Sequence, residues 1–156
     1  MVQPRRRDCG VGDEIGAEKS QLDTPQLVVD LDRLDRNIQR MAGLAADAGV
    51  ALRPHAKTHK CWQLASRQLV AGAAGLTVAT ASEAEIFAQA GCTDLFIAYP
   101  VWVDERRGAR LRALAQRCAL RVGVDSAKGA EALARNAGGA FEVLVEVDSG
   151  HHRTGM

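Results

Sequence analysis

Short apolar runs alternate along the chain with segments in which apolar residues recur every three or four positions. The runs are rich in valine, leucine and isoleucine and show no strict alternation with polar residues, as expected for strands that are covered on both faces. They span residues 27–31, 50–52, 76–79, 95–98, 120–124 and 143–147. This pattern predicts β/α units around a parallel sheet.

The segments between the runs have the spacing of amphipathic helices. The apolar faces are Leu34, Ile38, Met41, Ala45 and Ala48 in a first helix, Cys61, Leu64, Ala65 and Leu69 in a second, and, in two later ones, Leu111, Leu114, Ala115 and Cys118, then Ala130, Leu133, Ala134 and Ala137. Between these, Ser82 with Glu85 three positions later predicts a capping box at the start of a third helix.

The runs after the first helix recur roughly every 20–25 residues, which suits either a (β/α)8 barrel or a doubly wound sheet. A dinucleotide-binding sheet carries GxGxxG at its first strand-to-helix turn, whereas Gly10, Gly12 and Gly16 have another spacing and precede every run. We therefore favour an incomplete (β/α)8 barrel. About five strands follow the first helix and a barrel needs eight, so we expect residues 23–156 to be a truncated barrel with an uncovered edge strand.

Composition narrows the classes of function. The chain has 156 residues, 47% hydrophobic and 25% charged, with a net charge of +1. There is no basic stripe to bind nucleic acid, no apolar run of about 18 residues and no signal peptide, so we expect no membrane partner and a cytoplasmic location. Residues 1–22, with an RRR run and three glycines, predict a mobile tail. The four widely spaced cysteines indicate reduced thiols, not a disulfide framework or zinc site.

The most concentrated polar cluster follows the run at 50–52. Residues 53–60 read RPHAKTHK, with two histidines and two lysines. In a barrel, chemistry lies at the carboxyl ends of strands, where a lysine that is partly buried among other cations is favoured in its neutral, nucleophilic form. Lys57 is the candidate for that role. One alternative is a solvated strand end, with Pro54 as terminator and Thr58 capping the next helix. A metal site at His55 and His59 is weaker, because Pro54 keeps His55 extended.

A second polar segment, EVDSGHHRTG, ends the last run. Arg153 could bind an anionic oxygen through two hydrogen bonds, or could equally form an ion pair with Asp148 or Glu146. The adjacent histidines 151 and 152 are typical of a loop surface. Tyr99, the only tyrosine, follows another strand and is either a ligand contact or a half-buried strand end.

Four segments together resemble one family. TPQLVVDLDRLDRNI, LRPHAKTHKC, GLTVATASEAEIFAQAG and EVDSGHHRTG occur in the order found in the N-terminal barrel of fold-type III pyridoxal-phosphate (PLP) enzymes. The branch is that of D-threonine aldolases and D-serine dehydratases, relatives of alanine racemase, and the resemblance covers residues 22–156. It implies that Lys57 holds PLP as a Schiff base, that Arg153 lies near the phenolic oxygen of the cofactor, and that His59 lies near the site. It also implies that residues 27–30 pair with a C-terminal β domain absent from this chain.

The implied function is a PLP-dependent lyase acting on D-3-hydroxy amino acids, by D-serine dehydration or D-threonine retro-aldol cleavage. HHRTG and TVATASEAE favour the dehydratase side. The resemblance further implies a divalent metal held by the C-terminal domain, a homodimer at full length, and little or no activity for the 156-residue chain alone. The alternatives are a non-catalytic PLP-binding homeostasis protein and an amino-acid racemase of the same fold.

Overall fold

The computed structural model describes residues 23–139 and 141–156. In chain order the elements are α1 (Leu31–Asp47), α2 (Trp62–Val70), β1 (Leu76–Val78), α3 (Ala81–Ala90), β2 (Asp94–Ile97), α4 (Glu105–Ala115), β3 (Ala119–Val124), α5 (Ala127–Ala137) and β4 (Glu142–Val145). Residues 23–30, considered by themselves, contain neither helix nor strand. The mobile tail expected for residues 1–22 lies outside the described residues.

The four strands form one parallel sheet in the order β1-β2-β3-β4. Each strand pairs with the one before it, and a helix connects each strand to the next. Strand order equal to chain order, with helical crossovers, is the arrangement of a (β/α) barrel wall. The predicted α/β class and partial barrel are therefore confirmed.

The prediction of a strand at residues 50–52 is wrong. The chain meets β1 later, through a single parallel bridge between His55 and Thr77. A longer ladder would need the amide of residue 54 to donate to the carbonyl of Gly75, and Pro54 has no N–H. The described sheet therefore has four strands and one isolated bridge where the sequence predicted five strands.

The apolar core lies between the sheet and its helices. Its largest fully buried side chains are Leu76, Val78, Leu95, Ile97, Val103, Leu111, Val122 and Leu133. Val143 and Val145 of β4 pair in register with Val122 and Val124, yet they remain 46% and 58% exposed. Their neighbours on β3 are buried, so the helix side of the sheet is well packed only as far as β3.

Helices α4 and α5 are in close contact at Gly108. A Cβ at this position would overlap the carbonyl oxygen of Asn136 and lie 3.0 Å from the amide nitrogen of Ala137. The side chain of Asn136 also donates to the carbonyl of Val103 at 2.7 Å, which attaches the loop after β2 to α5. This helix pair therefore requires glycine at position 108.

The capping box of α3 begins two residues earlier than predicted. Thr80 Oγ1 accepts the N–H of Glu83 at 3.2 Å, and Glu83 Oε2 accepts the N–H of Ala79 at 2.8 Å. Ser82, predicted to be the cap, instead accepts a hydrogen bond from Arg110. Both positions match the capping pattern, but Thr80 lies two residues beyond the end of β1 and has the extended backbone of a cap, with φ −133°.

A charged network crosses the amino ends of the strands. Asp94 accepts two hydrogen bonds from Arg53, at 2.8 and 2.9 Å, and one from Arg121 at 2.8 Å. Arg121 also pairs with Glu142 at 2.7 Å. The hydrogen bonds from Arg53 hold the pKa of Asp94 below its usual value, although burial of the carboxylate acts in the opposite direction. The network connects the segment before β1 to β2, β3 and β4.

Two further predictions concern thiols and membranes. Cys61, Cys92 and Cys118 are free, as predicted, and Cys9 lies outside the described residues. In the part of the chain that the structure describes, every helix is too short or too polar to cross a bilayer.

Candidate functional site

The segment with the lysines and histidines is held at the carboxyl end of β1. The N–H of Thr77 donates to the carbonyl of Pro54 at 2.8 Å, and the N–H of Ala56 donates to the carbonyl of Thr77 at 2.7 Å. Ala56 is fully buried. The N–H of Lys60 then donates back to the carbonyl of Ala56 at 2.8 Å. Residues 56–60, named here the lysine turn, are therefore a closed turn with a buried anchor.

Lys57 is the first residue of this turn after the anchor. Its side chain is exposed and, within residues 23–139 and 141–156, its amine forms no hydrogen bond or ion pair. The partial burial expected from the sequence is thus not supplied by the described residues. Its backbone N–H lies 3.4 Å from Nδ1 of His55. Burial and, to a smaller extent, the Lys57 ammonium lower the pKa of His55. The ring is therefore neutral at neutral pH, and its Nδ1 can accept the N–H of Lys57.

Lys60 ends the lysine turn in a different environment. Its Nζ lies 3.1 Å from Oε1 of Glu83, and the side chains are 66% and 13% exposed. Lys60 also has φ +48°, in the left-handed region that residues with a Cβ seldom adopt. Two lysines three positions apart therefore differ: the Lys60 ammonium is bound to α3, whereas the Lys57 amine has no partner in the part of the chain that the structure describes.

His59 is half-buried between the lysine turn and α2. Its Nδ1 accepts the N–H of Cys61 at 3.1 Å, which leaves Nε2 to carry the proton in the neutral ring. Burial lowers the pKa of His59, opposed by Gln68 of α2. Nε2 of His59 and Oε1 of Gln68 are both buried without an ideal hydrogen bond. The ring thus faces α2, and a role for His59 at a cofactor stays a prediction.

The structure gives no support to a metal site at His55 and His59. Each ring places Nδ1 against a backbone N–H, of Lys57 and Cys61 respectively. Among the described residues, no group of three histidine, cysteine, aspartate or glutamate side chains could hold a metal ion. Thr58, considered as a helix cap, lies within the turn, and Cys61 occupies the cap position of α2.

Arg153 lies in the loop that follows β4, and its guanidinium is exposed. Both acidic residues considered as its partners are engaged elsewhere. Glu146 accepts the hydroxyl of Thr154 at 2.6 Å, and Asp148 accepts the ring and the backbone N–H of His152 at 2.9 and 3.0 Å. Within the described part of the chain, Arg153 therefore has no ion-pair partner.

Lys57 and Arg153 lie at the same end of the sheet, where active sites of β/α barrels form. They lie at opposite edges of the sheet, because Lys57 follows the bridge to β1 and Arg153 follows β4. Tyr99, which is 51% exposed, follows β2 between them.

The pairing of Lys60 with Glu83 was missed by sequence reasoning. Its only sequence signal was the match of Thr80 and Glu83 to the capping pattern.

These features define the class of the domain: part of a parallel β/α barrel whose polar loops lie at the carboxyl ends of its strands. The chain belongs to the family of the alanine racemase N-terminal domain, whose model matches residues 29–156.

Relatives with assigned activities cover the same region. The chain is 45% identical over 138 residues to the D-threo-3-hydroxyaspartate dehydratase of Delftia sp. strain HT23, a match covering 86% of this chain and 36% of the relative. It is 40% identical over 144 residues to a D-threonine aldolase of Arthrobacter sp., covering 90% and 38%. The crystal structure of the D-threonine aldolase from Filomicrobium marinum superposes with a TM-score of 0.80 at 41% identity, covering 85% of this chain and 37% of that one. The chain thus spans under two-fifths of the length of these relatives.

Proposed function

We propose that this chain is the cofactor-attachment part of a PLP-dependent lyase acting on D-3-hydroxy amino acids, with Lys57 as the residue that binds PLP covalently. The observation that carries the proposal is the Lys57 amine, which has no hydrogen-bond or ion-pair partner among the described residues and is held one residue beyond a buried anchor at the carboxyl end of β1. The similar dehydratase and aldolase support the reaction class.

The described residues suit the chemistry of PLP. The cofactor has an aldehyde, which needs an amine nucleophile, and anionic oxygens, which need a cation. In residues 23–139 and 141–156, no carboxylate pairs with the Lys57 amine and none pairs with the Arg153 guanidinium, which can therefore donate two hydrogen bonds to an anionic oxygen. Bound PLP would act as an electron sink for the bond that breaks at or next to Cα. The protein residues would orient the ring by holding it at these two points.

The relatives' names indicate the substrate class. D-threo-3-hydroxyaspartate and D-threonine are both D-amino acids with a hydroxyl on the β carbon. We propose dehydration with loss of ammonia as the first candidate reaction, supported by the 45% identity to the dehydratase. Retro-aldol cleavage is the second candidate, supported by the TM-score of 0.80 to an aldolase. D-serine and D-threonine are the simplest substrates that test the two.

Further groups belong to the longer protein in this proposal. The chain spans 36% of the dehydratase. We therefore propose that the remaining cofactor contacts, a divalent metal site and a homodimer interface are formed outside residues 23–156. One variant of the similar dehydratase has been solved in a metal-free form, which supports metal binding in this group.

The test of cofactor attachment is borohydride reduction of the chain after incubation with PLP, followed by peptide mapping. We expect the label at Lys57 and its loss in Lys57→Met. Lys128→Met is the matched control, because Lys128 is an exposed lysine on another element, α5. Label at Lys60, or label spread evenly over all lysines, would contradict the proposal.

The test of the reaction is an assay of the protein encoded by the complete gene against D-serine and D-threonine, with and without divalent metal. A keto acid and ammonia would support dehydration, and glycine with an aldehyde would support cleavage. L-serine as product would support a racemase, and binding without turnover would support a homeostasis protein. We expect little turnover by the 156-residue chain, because the remaining cofactor contacts and the metal site are proposed to lie outside residues 23–156.

A further inference from the structure

The lysine turn presents two amines of similar intrinsic reactivity to any aldehyde that reaches it. Lys57 and Lys60 are three positions apart, and both side chains are exposed. Attachment of PLP at one of them therefore requires a device that distinguishes the two. This requirement rests on the function proposed above, in which Lys57 binds PLP.

The carboxylate of Glu83 is held in a position where it forms an ion pair with Lys60. This carboxylate is fixed at the first turn of α3, because Oε2 accepts the N–H of Ala79 at 2.8 Å and the N–H of Glu83 donates to Thr80 at 3.2 Å. The other oxygen, Oε1, then lies 3.1 Å from Nζ of Lys60. The carboxylate is mostly buried whereas the ammonium is mostly exposed, so the ammonium is the mobile partner and Glu83 is the fixed one.

The residue that pairs with Glu83 also has an unusual backbone conformation. Lys60 has φ +48°, a conformation that a residue with a Cβ keeps only where its surroundings favour it. The N–H of Lys60 closes the turn on Ala56, and its side chain reaches α3. Release of the ammonium would remove one of the two contacts that keep Lys60 in this conformation, and Lys57 lies within the same turn.

We propose that Glu83 is a positioning residue that directs PLP to Lys57 by holding the Lys60 ammonium and the lysine turn against α3. Attachment requires a neutral amine: Nζ forms a C=N bond with the aldehyde carbon, and the aldehyde oxygen leaves as water with the two amine hydrogens. An ammonium paired with Glu83 must first leave the carboxylate and lose a proton. Lys57 has no carboxylate to leave among the described residues, so it reacts first.

The experiment measures where PLP attaches in the complete 156-residue chain. Wild type and variants are incubated with less than one equivalent of PLP, reduced with borohydride at set times and mapped, which gives the ratio of label at Lys57 to label at Lys60. We expect Glu83→Gln to lower this ratio about threefold or more, as loss of a partly exposed ion pair allows. Glu85→Gln is the matched control, because it removes the α3 ion pair with Arg110 instead.

An unchanged ratio in folded Glu83→Gln, with wild-type label at Lys57, would overturn the inference and leave the proposed function intact. Wild-type label away from Lys57 would instead overturn the proposed function, and this inference with it. A second pair of variants covers the case in which Glu83→Gln fails to fold. Lys60→Arg keeps a cation for Glu83, whereas Lys60→Met does not, and neither has a competing amine at position 60. We expect slower Lys57 labelling in Lys60→Met than in Lys60→Arg, and equal rates would overturn the inference.

Discussion

Substitution of Gly108 by alanine should reverse the usual effect of this change in a helix. Alanine inside a helix is normally more favourable than glycine by about 1 kcal/mol. At position 108, however, the new methyl group would overlap the carbonyl of Asn136, so α4 and α5 would have to separate. Overpacking of a well-packed interface costs about 1–3 kcal/mol.

The expected magnitude follows from these opposing contributions. Because the obstacle is backbone of the facing helix and not a flexible side chain, we take the upper part of that range. The free energy of unfolding should then fall by about 2 kcal/mol, which for a domain of this size lowers Tm by about 4–8 °C. The hydrogen bond from Asn136 to the carbonyl of Val103 should weaken as well, since a shift of α5 moves its donor.

A matched control exists in the same chain. Gly43 is also inside a helix, α1, and a Cβ there would meet nothing within 4 Å. Gly43→Ala should therefore raise the free energy of unfolding by about 0.5–1 kcal/mol. Thermal and urea unfolding followed by circular dichroism would measure both variants. If Gly108→Ala were as stable as wild type or more so, the close packing of α4 on α5 described above would be refuted.

The remaining predictions concern the charged network and the helix cap. Asp94→Asn should lower the free energy of unfolding by about 2 kcal/mol, because the partly buried Arg53 and Arg121 lose the Asp94 carboxylate. Asp35→Asn removes the more exposed ion pair with Arg67 and should cost under about 1 kcal/mol. Equal losses for the two variants in urea unfolding would contradict this ranking. The folded-state pKa of Asp94 is depressed, so its contribution is fully present above about pH 4 and is lost as pH falls below that value. Acid titration of stability should thus be steeper for wild type than for Asp94→Asn. Thr80→Ala should cost about 1 kcal/mol through loss of the α3 cap, and a thermal melt identical to wild type would show that Thr80 is not the cap.

The sequence was sufficient for features that depend on local spacing. The apolar periodicity of α1, α4 and α5 and the runs at β1 to β4 all correspond to observed elements. Periodicity works for α4 and α5 because each of these helices packs one face against the sheet. The position of Lys57 at the carboxyl end of the sheet also followed from reading strand ends, although it lies beside β1 and not after a strand at 50–52, and it is exposed where partial burial was expected.

Features that depend on distant pairing could not be predicted. Arg53 and Asp94 are 41 positions apart, and many acidic residues would have been equally plausible partners. The strand expected at 50–52 failed for a different reason: apolar composition favours a strand, but one proline removes the amide needed to extend the ladder. Thr80 and Ser82 show a third limit, because two overlapping matches to one motif are resolved only by where the preceding strand stops.

Equality between strand order and chain order also bears on how the polypeptide folds during synthesis. Each new strand pairs with the strand made immediately before it, so its hydrogen-bonding edge is already present when it leaves the ribosome. Loop closure is then needed only across one helix at a time, which keeps the entropic cost of each step small. We expect the nascent chain to gain protection from proteolysis stepwise, one β/α unit after another, beginning with β1 and β2.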